Sequence, residues 1–177
     1  ETSAQDYIDP FEEFLTSLKT EKFSAKIASG GGRQAITMDR YGANWDMVKK
    51  GWDTHVLGKG RGFPSAKEAL EVLRKETGAI DQDIPPFVIV DQEKPVGTIE
   101  DGDSVVFFNF RGDRALEITA AFEEENFSKF DRVKWPKVEY AGMMQYDGDM
   151  KVPKQYLVEP PSIDKTLGEY LCLSGIT

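Results

Sequence analysis

The 177-residue chain has few residues with reactive side chains, with one cysteine and one histidine. A single cysteine, Cys172, excludes an internal disulfide framework and is typical of a reducing compartment. It lies in an apolar helical pattern, and we interpret it as a core residue. The single histidine, His55, has no second histidine with which to share a metal ion and no serine or cysteine at a recognisable motif spacing. We therefore interpret His55 as structural or exposed.

Long apolar runs and excess positive charge are also absent. No apolar run approaches the ~20 residues of a membrane span. The first residues, E-T-S-A, resemble neither a signal peptide nor a natural initiation, which suggests an excised piece. The net charge of −9 argues against a nucleic-acid binder but not against a small anionic substrate.

The patterns that are present predict a mixed fold. Strands are predicted at 23–28, 87–90, 104–110 and 138–146, with a hairpin connection at 91–97. The unbroken apolar run near 104–110 is typical of a central strand buried on both faces. We expect an α/β fold, a three-layer αβα arrangement with a mainly parallel central sheet plus an antiparallel hairpin element.

Capping residues predict where the helices begin. Asp9, followed by proline, is predicted to cap the first helix, and Asn44 the second. Ser65 opens a capping box for the third, which ends at Gly78. Ser162 is predicted to cap a short last helix. The predicted buried stripe of the first helix consists of Phe11, Phe14, Leu15 and Leu18.

Two arginines, Arg111 and Arg114, stand between the apolar run and a helical pattern. That pattern places Ala115, Ile118, Thr119 and Phe122 on one face. Ligands of open α/β sheets bind at the carboxyl ends of strands, and a helix start offers free N–H groups and a positive dipole end. The position predicts an anion site, with solvated surface arginines as the alternative.

A further arginine, Arg33, follows three glycines at 30–32. The segment matches neither G-x-G-x-x-G nor a P-loop, so a nucleotide is not indicated. The glycines alone favour a permissive turn, whereas glycines with an arginine are compatible with an oxyanion or carboxylate clamp. Two D-G-D segments, at 101–103 and 147–149, lack the ligand spacing of a calcium loop and are interpreted as turns.

Several motifs together resemble one known family, the cofactor-independent phosphoglycerate mutases in their longer, plant-like form. The motifs follow in order over nearly the whole chain, and their combination is far more specific than any one of them. They are A-S-G-G-G-R at 28–33, M-D-R-Y at 38–41, N-W-D at 44–46, P-F-V-I-V at 86–90, F-N-F-R-G-D-R at 108–114 and Y-A-G-M at 140–143.

The resemblance implies an enzyme that interconverts 3-phosphoglycerate and 2-phosphoglycerate through a phosphoserine intermediate, in glycolysis and gluconeogenesis. Such an enzyme is cytoplasmic and monomeric, binds neither nucleic acid nor membrane, and uses two manganese ions without 2,3-bisphosphoglycerate. A phosphatase-like domain holds the serine and the manganese. An inserted phosphotransferase domain binds the glycerate part of the substrate.

The resemblance assigns substrate binding in this chain to Arg33, Arg40, Arg111 and Arg114, which hold carboxylate, hydroxyl and phosphate groups. Position 112 departs from the family by being glycine, which loosens the turn between two of them. The catalytic residues and the manganese ligands of the family have no counterpart here. The expected site therefore contains no catalytic and no metal-binding residue, and the chain alone should be inactive.

The same resemblance predicts the domain organisation. Residues 1–158 form the phosphotransferase domain without its N-terminal part, 159–161 an interdomain linker, and 162–177 the first helix of the returning phosphatase-like domain. Two alternatives remain open. The chain is a non-catalytic binding module for a small phosphorylated or carboxylated ligand, or it is an acidic interaction domain whose arginines are scattered.

Overall fold

The computed structural model describes residues 2–159 and 163–176. Its strands are short, and none of its helices is both long and apolar enough to cross a membrane within these described ranges. The helices are α1 (Ala4–Ser17), α2 (Trp45–His55), α3 (Ala66–Thr77), α4 (Leu116–Glu123) and α5 (Leu167–Leu173), with 3₁₀ turns at Asp81–Asp83 and Gly112–Arg114. The strands are β1 (Ser29–Gly30), β2 (Arg61–Phe63), β3 (Phe87–Asp91), β4 (Lys94–Pro95), β5 (Ser104–Phe107), β6 (Glu139–Met144) and β7 (Tyr156–Val158).

The strands form two sheets rather than one. In the first, β3 lies between antiparallel β1 and parallel β2, and β4 folds back on β3 as an antiparallel hairpin. The second has the order β5-β6-β7, and both of its pairings are parallel. The predicted α/β class, with parallel pairing and an added antiparallel hairpin, is confirmed.

The expectation that β5 is buried on both faces is wrong. This strand lies at the edge of the second sheet, and its residues alternate between exposed and half-buried. Val106 is 50% exposed, and beyond the strand Phe108 and Phe110 are 78% and 69% exposed. An apolar run in the sequence does not show whether one or both faces of a strand are covered. Within the described residues, only one face of β5 is packed.

Two hydrophobic clusters hold the fold together. The first joins α3 to β2 and β3, and the second joins α2 and α4 to β6. The first consists of Phe63, Ala66, Ala69, Leu70, Leu73, Ile84, Phe87 and Ile89. The second consists of Val48, Trp52, Val56, Ile118, Ala121, Phe122 and Tyr140. The candidate arginines lie on segments that adjoin one cluster or the other.

Helix α1 differs from its prediction in both start and burial. It begins at Ala4 after Ser3, so that Asp9 is inside it and pairs with Lys67 at 3.0 Å. None of its residues is buried, because it meets α3 mainly through Ala4 and Ile8. The predicted stripe Phe11, Phe14, Leu15 and Leu18 therefore faces outward or is at most half-buried.

Further corrections concern the segment 23–28 and the end of the chain. The predicted strand at 23–28 is not formed, and the regular strand β1 begins only at Ser29. Cys172 is exposed on α5 and is not a core residue, because α5 has no buried residue. The predicted cap Ser162 and most of the linker 159–161 lie outside the described residues. Helix α5 is capped by Thr166, whose side chain accepts from the Glu169 N–H at 3.1 Å.

The other capping predictions are confirmed. Asn44 accepts the Met47 N–H and caps α2, and Ser65 accepts the Glu68 N–H at 3.1 Å and caps α3. Helix α3 ends at Gly78, whose φ of +68° is costly for other residues.

These caps allow a direct test of helix stability. We expect Ser65→Ala to lower the free energy of unfolding by about 1 kcal/mol, because it removes the side-chain acceptor of the first turn. Ser3→Ala is the matched control, since Ser3 precedes α1 but makes no side-chain capping bond. Urea denaturation of both variants measures the difference, and equal losses would contradict the capping role.

Candidate anion-binding site

The first two arginines lie where the sequence predicts them, between a strand and a helix. Arg111 immediately precedes the 3₁₀ turn Gly112–Arg114, which follows β5 and leads into α4. The predicted inner face of α4, namely Ala115, Ile118, Thr119 and Phe122, is buried. That packing fixes the helix, and with it the backbone of the turn that carries both arginines.

Arg114 is half-buried and reaches across to another segment of the chain. Its Nη1 donates to the Met38 carbonyl at 2.5 Å, which ties the 3₁₀ turn to the loop 38–44. Its Nε is buried without a hydrogen-bond partner among the described residues. Arg114 is therefore a fixed positive charge that also anchors the segment carrying Arg40.

Asp113 brings Arg40 and Arg111 together. Arg40 Nη1 lies 3.6 Å from Asp113 Oδ2, and Arg111 Nε lies 3.5 Å from Asp113 Oδ1. Both arginine side chains are about half exposed, so each guanidinium keeps a face open to solvent. One carboxylate between two guanidiniums leaves excess positive charge, and Arg114 adds to it. The arrangement suits a ligand with carboxylate or phosphate groups.

Arg33 has a different partner. Its Nε and Nη2 both donate to Gln82 Oε1, at 2.8 and 2.5 Å, and the side chain is exposed. It shares neither Asp113 nor Met38 with the other three arginines. The structure thus joins Arg40 and Arg111 through Asp113 and ties Arg114 to the loop that carries Arg40. It places Arg33 beside the 3₁₀ turn that precedes β3.

The glycines before Arg33 approach the protein's own chain. The Gly32 N–H donates to the Ile84 carbonyl at 2.8 Å, and a Cβ on Gly32 would clash with the Gln82 carbonyl oxygen. Glycine is required there for a tight turn against residues 82–84, which agrees with the simpler of the two sequence interpretations.

Two buried carboxyl groups near the arginines were not singled out from the sequence. Asp39 is 7% exposed and accepts the Asn44 N–H, and Glu117 is 6% exposed and accepts the Gly42 N–H at 2.8 Å. Burial raises the pKa of Glu117, the Gly42 hydrogen bond opposes that rise, and the nearby Asp39 adds to it. For Glu117, the sequence signal is an acidic residue within the apolar helical pattern of α4.

His55 has a serine partner that sequence spacing does not reveal. Its Nδ1 lies 2.8 Å from the Ser29 Oγ, a hydrogen bond that links α2 to β1. Burial lowers the pKa of His55, so the imidazole is neutral at pH 7. The contact joins two elements of the scaffold and supports the structural interpretation of this residue.

The acidic D-G-D segments are turns stabilised by their own side chains. Asp147 accepts the N–H groups of Asp149 and Met150, and Asp101 accepts the Lys137 N–H at 2.8 Å. In the described ranges, no group of three or more His, Cys, Asp or Glu side chains is arranged to hold a metal ion. The described residues therefore do not form the manganese site that the resemblance implies for other parts of the whole enzyme.

Comparison with known proteins agrees with the motifs. Residues 1–148 match the family model described as BPG-independent PGAM N-terminus. A relative from Leptospira interrogans, named probable 2,3-bisphosphoglycerate-independent phosphoglycerate mutase, is 61% identical over 99% of this chain and 32% of its own length. The Prunus dulcis 2,3-bisphosphoglycerate-independent phosphoglycerate mutase is 53% identical over 98% of this chain and 36% of its own length.

A solved structure gives the same result for the fold. The crystal structure of Leishmania mexicana phosphoglycerate mutase superposes with a TM-score of 0.89 and 52% identity, over 98% of this chain and 32% of that one. The chain thus spans about a third of the length of the relatives that it matches. With most of its residues matched by the family model, the chain belongs to the family of BPG-independent phosphoglycerate mutases.

Proposed function

We propose that this chain is the substrate-binding portion of an enzyme that interconverts 3-phosphoglycerate and 2-phosphoglycerate through a phosphoserine. The observation that carries the proposal is the contact of Arg40 and Arg111 with one Asp113, next to the anchored Arg114. Guanidinium groups bind carboxylate and phosphate bidentately, and both groups are present on phosphoglycerate.

In this proposal the residues of the chain bind and orient the substrate. Arg40, Arg111 and Arg114 hold its anionic groups, and Arg33 reaches the same ligand from the side of Gln82. Fixing the substrate in this way lowers the entropic cost of in-line phosphoryl transfer. The serine that accepts the phosphoryl group and the two manganese ions that assist it belong to other parts of the parent enzyme, which requires no 2,3-bisphosphoglycerate.

The domain boundary belongs to the same proposal. Residues 1–158 are the phosphotransferase domain, 159–161 a linker, and 162–177 the start of the phosphatase-like domain. Helix α5 supports this division, because Leu167, Tyr170 and Leu173 are exposed on it and suit packing against another domain. A linker at this position lets the two domains close on the substrate. We place the parent enzyme in the cytoplasm as a monomer that binds neither nucleic acid nor membrane.

The proposal predicts binding without turnover for the isolated chain. We expect no conversion of 3-phosphoglycerate by the chain alone, even with manganese, because the reacting groups lie elsewhere in the parent. An enolase-coupled assay, with the full-length parent as positive control, checks this. Turnover by the pure chain would contradict it.

A non-catalytic binding module is the second candidate, supported by the contact of Arg40 and Arg111 with Asp113, which suits an anionic ligand whether or not it reacts. Isothermal titration of the chain with 3-phosphoglycerate tests binding, and activity of the full-length parent decides between the two candidates. A parent that binds phosphoglycerate but does not isomerise it would favour the binding module.

A further inference from the structure

The loop 38–44, which carries Arg40, has a backbone conformation that needs outside support. Tyr41 and Gly42 both have left-handed backbone angles, with φ of +62° and +65°. Tyrosine adopts this conformation at a cost of about 1 kcal/mol, so the surrounding structure must hold it in place. The Tyr41 side chain is 82% exposed, and its ring lies 5.4 Å from the Arg40 guanidinium, so its own packing gives little support.

Three hydrogen bonds supply that support. Arg114 donates to the Met38 carbonyl at the start of the loop, Asp39 accepts the Asn44 N–H at its end, and Glu117 accepts the Gly42 N–H in its middle. Two of the three acceptors are buried carboxyl groups. The Glu117 bond holds the residue that follows the strained Tyr41.

The two carboxyl groups complement each other if they share a proton. Glu117 Oε2 is buried, and no N–H or O–H donor reaches it within the described ranges. Asp39 and Glu117 accept the N–H groups of Asn44 and Gly42, two residues apart on the same loop, so both carboxyl groups lie against this short segment. Besides burial, the charge of Asp39 and a hydrogen bond with it raise the pKa of Glu117. A proton on Glu117 Oε2 removes the repulsion and donates to Asp39, so that one hydrogen satisfies both side chains.

We propose that Asp39 and Glu117 are a proton-sharing pair of positioning residues, which fixes loop 38–44 and so places the Arg40 guanidinium beside that of Arg111. Arg40 itself has weak restraints, an ion pair of 3.6 Å to Asp113 and a ring contact with Tyr41. Its position therefore follows the backbone of the loop. Neither carboxyl group needs to touch the ligand for this role.

The inference rests on the proposed function, because that function gives Arg40 a substrate to bind. In the full-length parent, we expect Glu117→Ala to raise KM for 3-phosphoglycerate about tenfold with kcat within about threefold, since loop 38–44 loses its middle anchor. Glu117→Met keeps the length of the buried side chain and serves if the alanine variant does not fold. Glu117→Gln retains an acceptor for Gly42 and a donor for Asp39, and should restore KM to within about threefold of wild type.

A double-mutant cycle separates positioning from general stability. If Glu117 acts through Arg40, then Glu117→Ala should raise KM less than about twofold in an Arg40→Ala background. Glu125→Ala, at an exposed position after the same helix, is the control and should leave KM unchanged.

The outcomes distinguish a failure of the positioning role of Glu117 from a failure of the proposed function. A normal KM for Glu117→Ala and Glu117→Met, or a Glu117→Gln enzyme as impaired as they are, overturns the positioning role. A tenfold rise in KM caused by Glu117→Ala that persists in the Arg40→Ala background also overturns the positioning role. An Arg40→Ala enzyme with normal KM instead overturns the role of Arg40 in the proposed function, and the inference falls with it.

Discussion

Arg111→Ala in the full-length parent should lower kcat/KM for 3-phosphoglycerate about 100-fold or more, because the substrate loses a charged partner during phosphoryl transfer. Arg111 is half exposed, and among the residues that the structure describes the substitution removes one ion pair, with Asp113 at 3.5 Å. The thermal midpoint should therefore change little. Steady-state kinetics and a thermal melt of the same sample measure the two quantities.

The matched control for this variant is Arg61→Ala. Arg61 is also a half-exposed arginine in an ion pair, with Glu76, but it lies on β2. In the described part of the chain it forms no hydrogen bond or ion pair with the residues of the candidate site. Its kcat/KM should remain within about twofold of wild type, because the lost ion pair is exposed, contributes little to stability and lies outside the candidate site. Arg114→Ala should lose activity and also lower the melting temperature, because Arg114 holds the Met38 carbonyl. Near-normal activity of both Arg111→Ala and Arg114→Ala would contradict the substrate clamp.

Trp52→Ala should lower the free energy of unfolding by about 3–5 kcal/mol, the range for large aromatic residues removed from a core. Trp52 has no solvent exposure, and its ring centroid lies 4.8 Å from that of Phe122, in the cluster that supports α4. Its Nε1 also donates to the Arg132 carbonyl at 2.9 Å. Urea denaturation of the chain, monitored by circular dichroism, gives the free energy of unfolding.

Trp52→Phe separates packing from the hydrogen bond. Phenylalanine keeps much of the ring volume but cannot donate to Arg132, so part of the destabilisation, about 1–2 kcal/mol, should remain. If Trp52→Ala costs less than about 1 kcal/mol, the cluster of α2, α4 and β6 is not the support inferred for the arginine-bearing turn.

Local signals in the sequence were sufficient for part of this structure. Asn44 and Ser65 are caps whose partners lie within three residues, and the buried face of α4 repeats at helical spacing. The position of Arg111 and Arg114 between β5 and α4 follows from the same local patterns. These features depend on neighbours along the chain, so no knowledge of the tertiary fold is required.

Features that depend on distant partners could not be predicted in this way. The exposure of β5, of Cys172 and of the aromatic face of α1 depends on which other segments cover them. Glu117 has a signal in the apolar pattern of α4, but its association with Asp39 could not be anticipated, because the two residues meet at loop 38–44 only after folding. The convergence of Arg40 with Arg111 likewise requires Asp113, whose role no spacing indicates.

The two separate hydrophobic clusters have a consequence for the dynamics of the arginine set. Arg33 is bonded to Gln82, beside Ile84 of the first cluster, whereas Arg114 and Glu117 precede Ile118 of the second. Packed units of this kind open in partly independent steps, so the distance between Arg33 and the other arginines can fluctuate without global unfolding. A ligand that spans all four would couple the two units, and part of its binding energy would be used to suppress this motion.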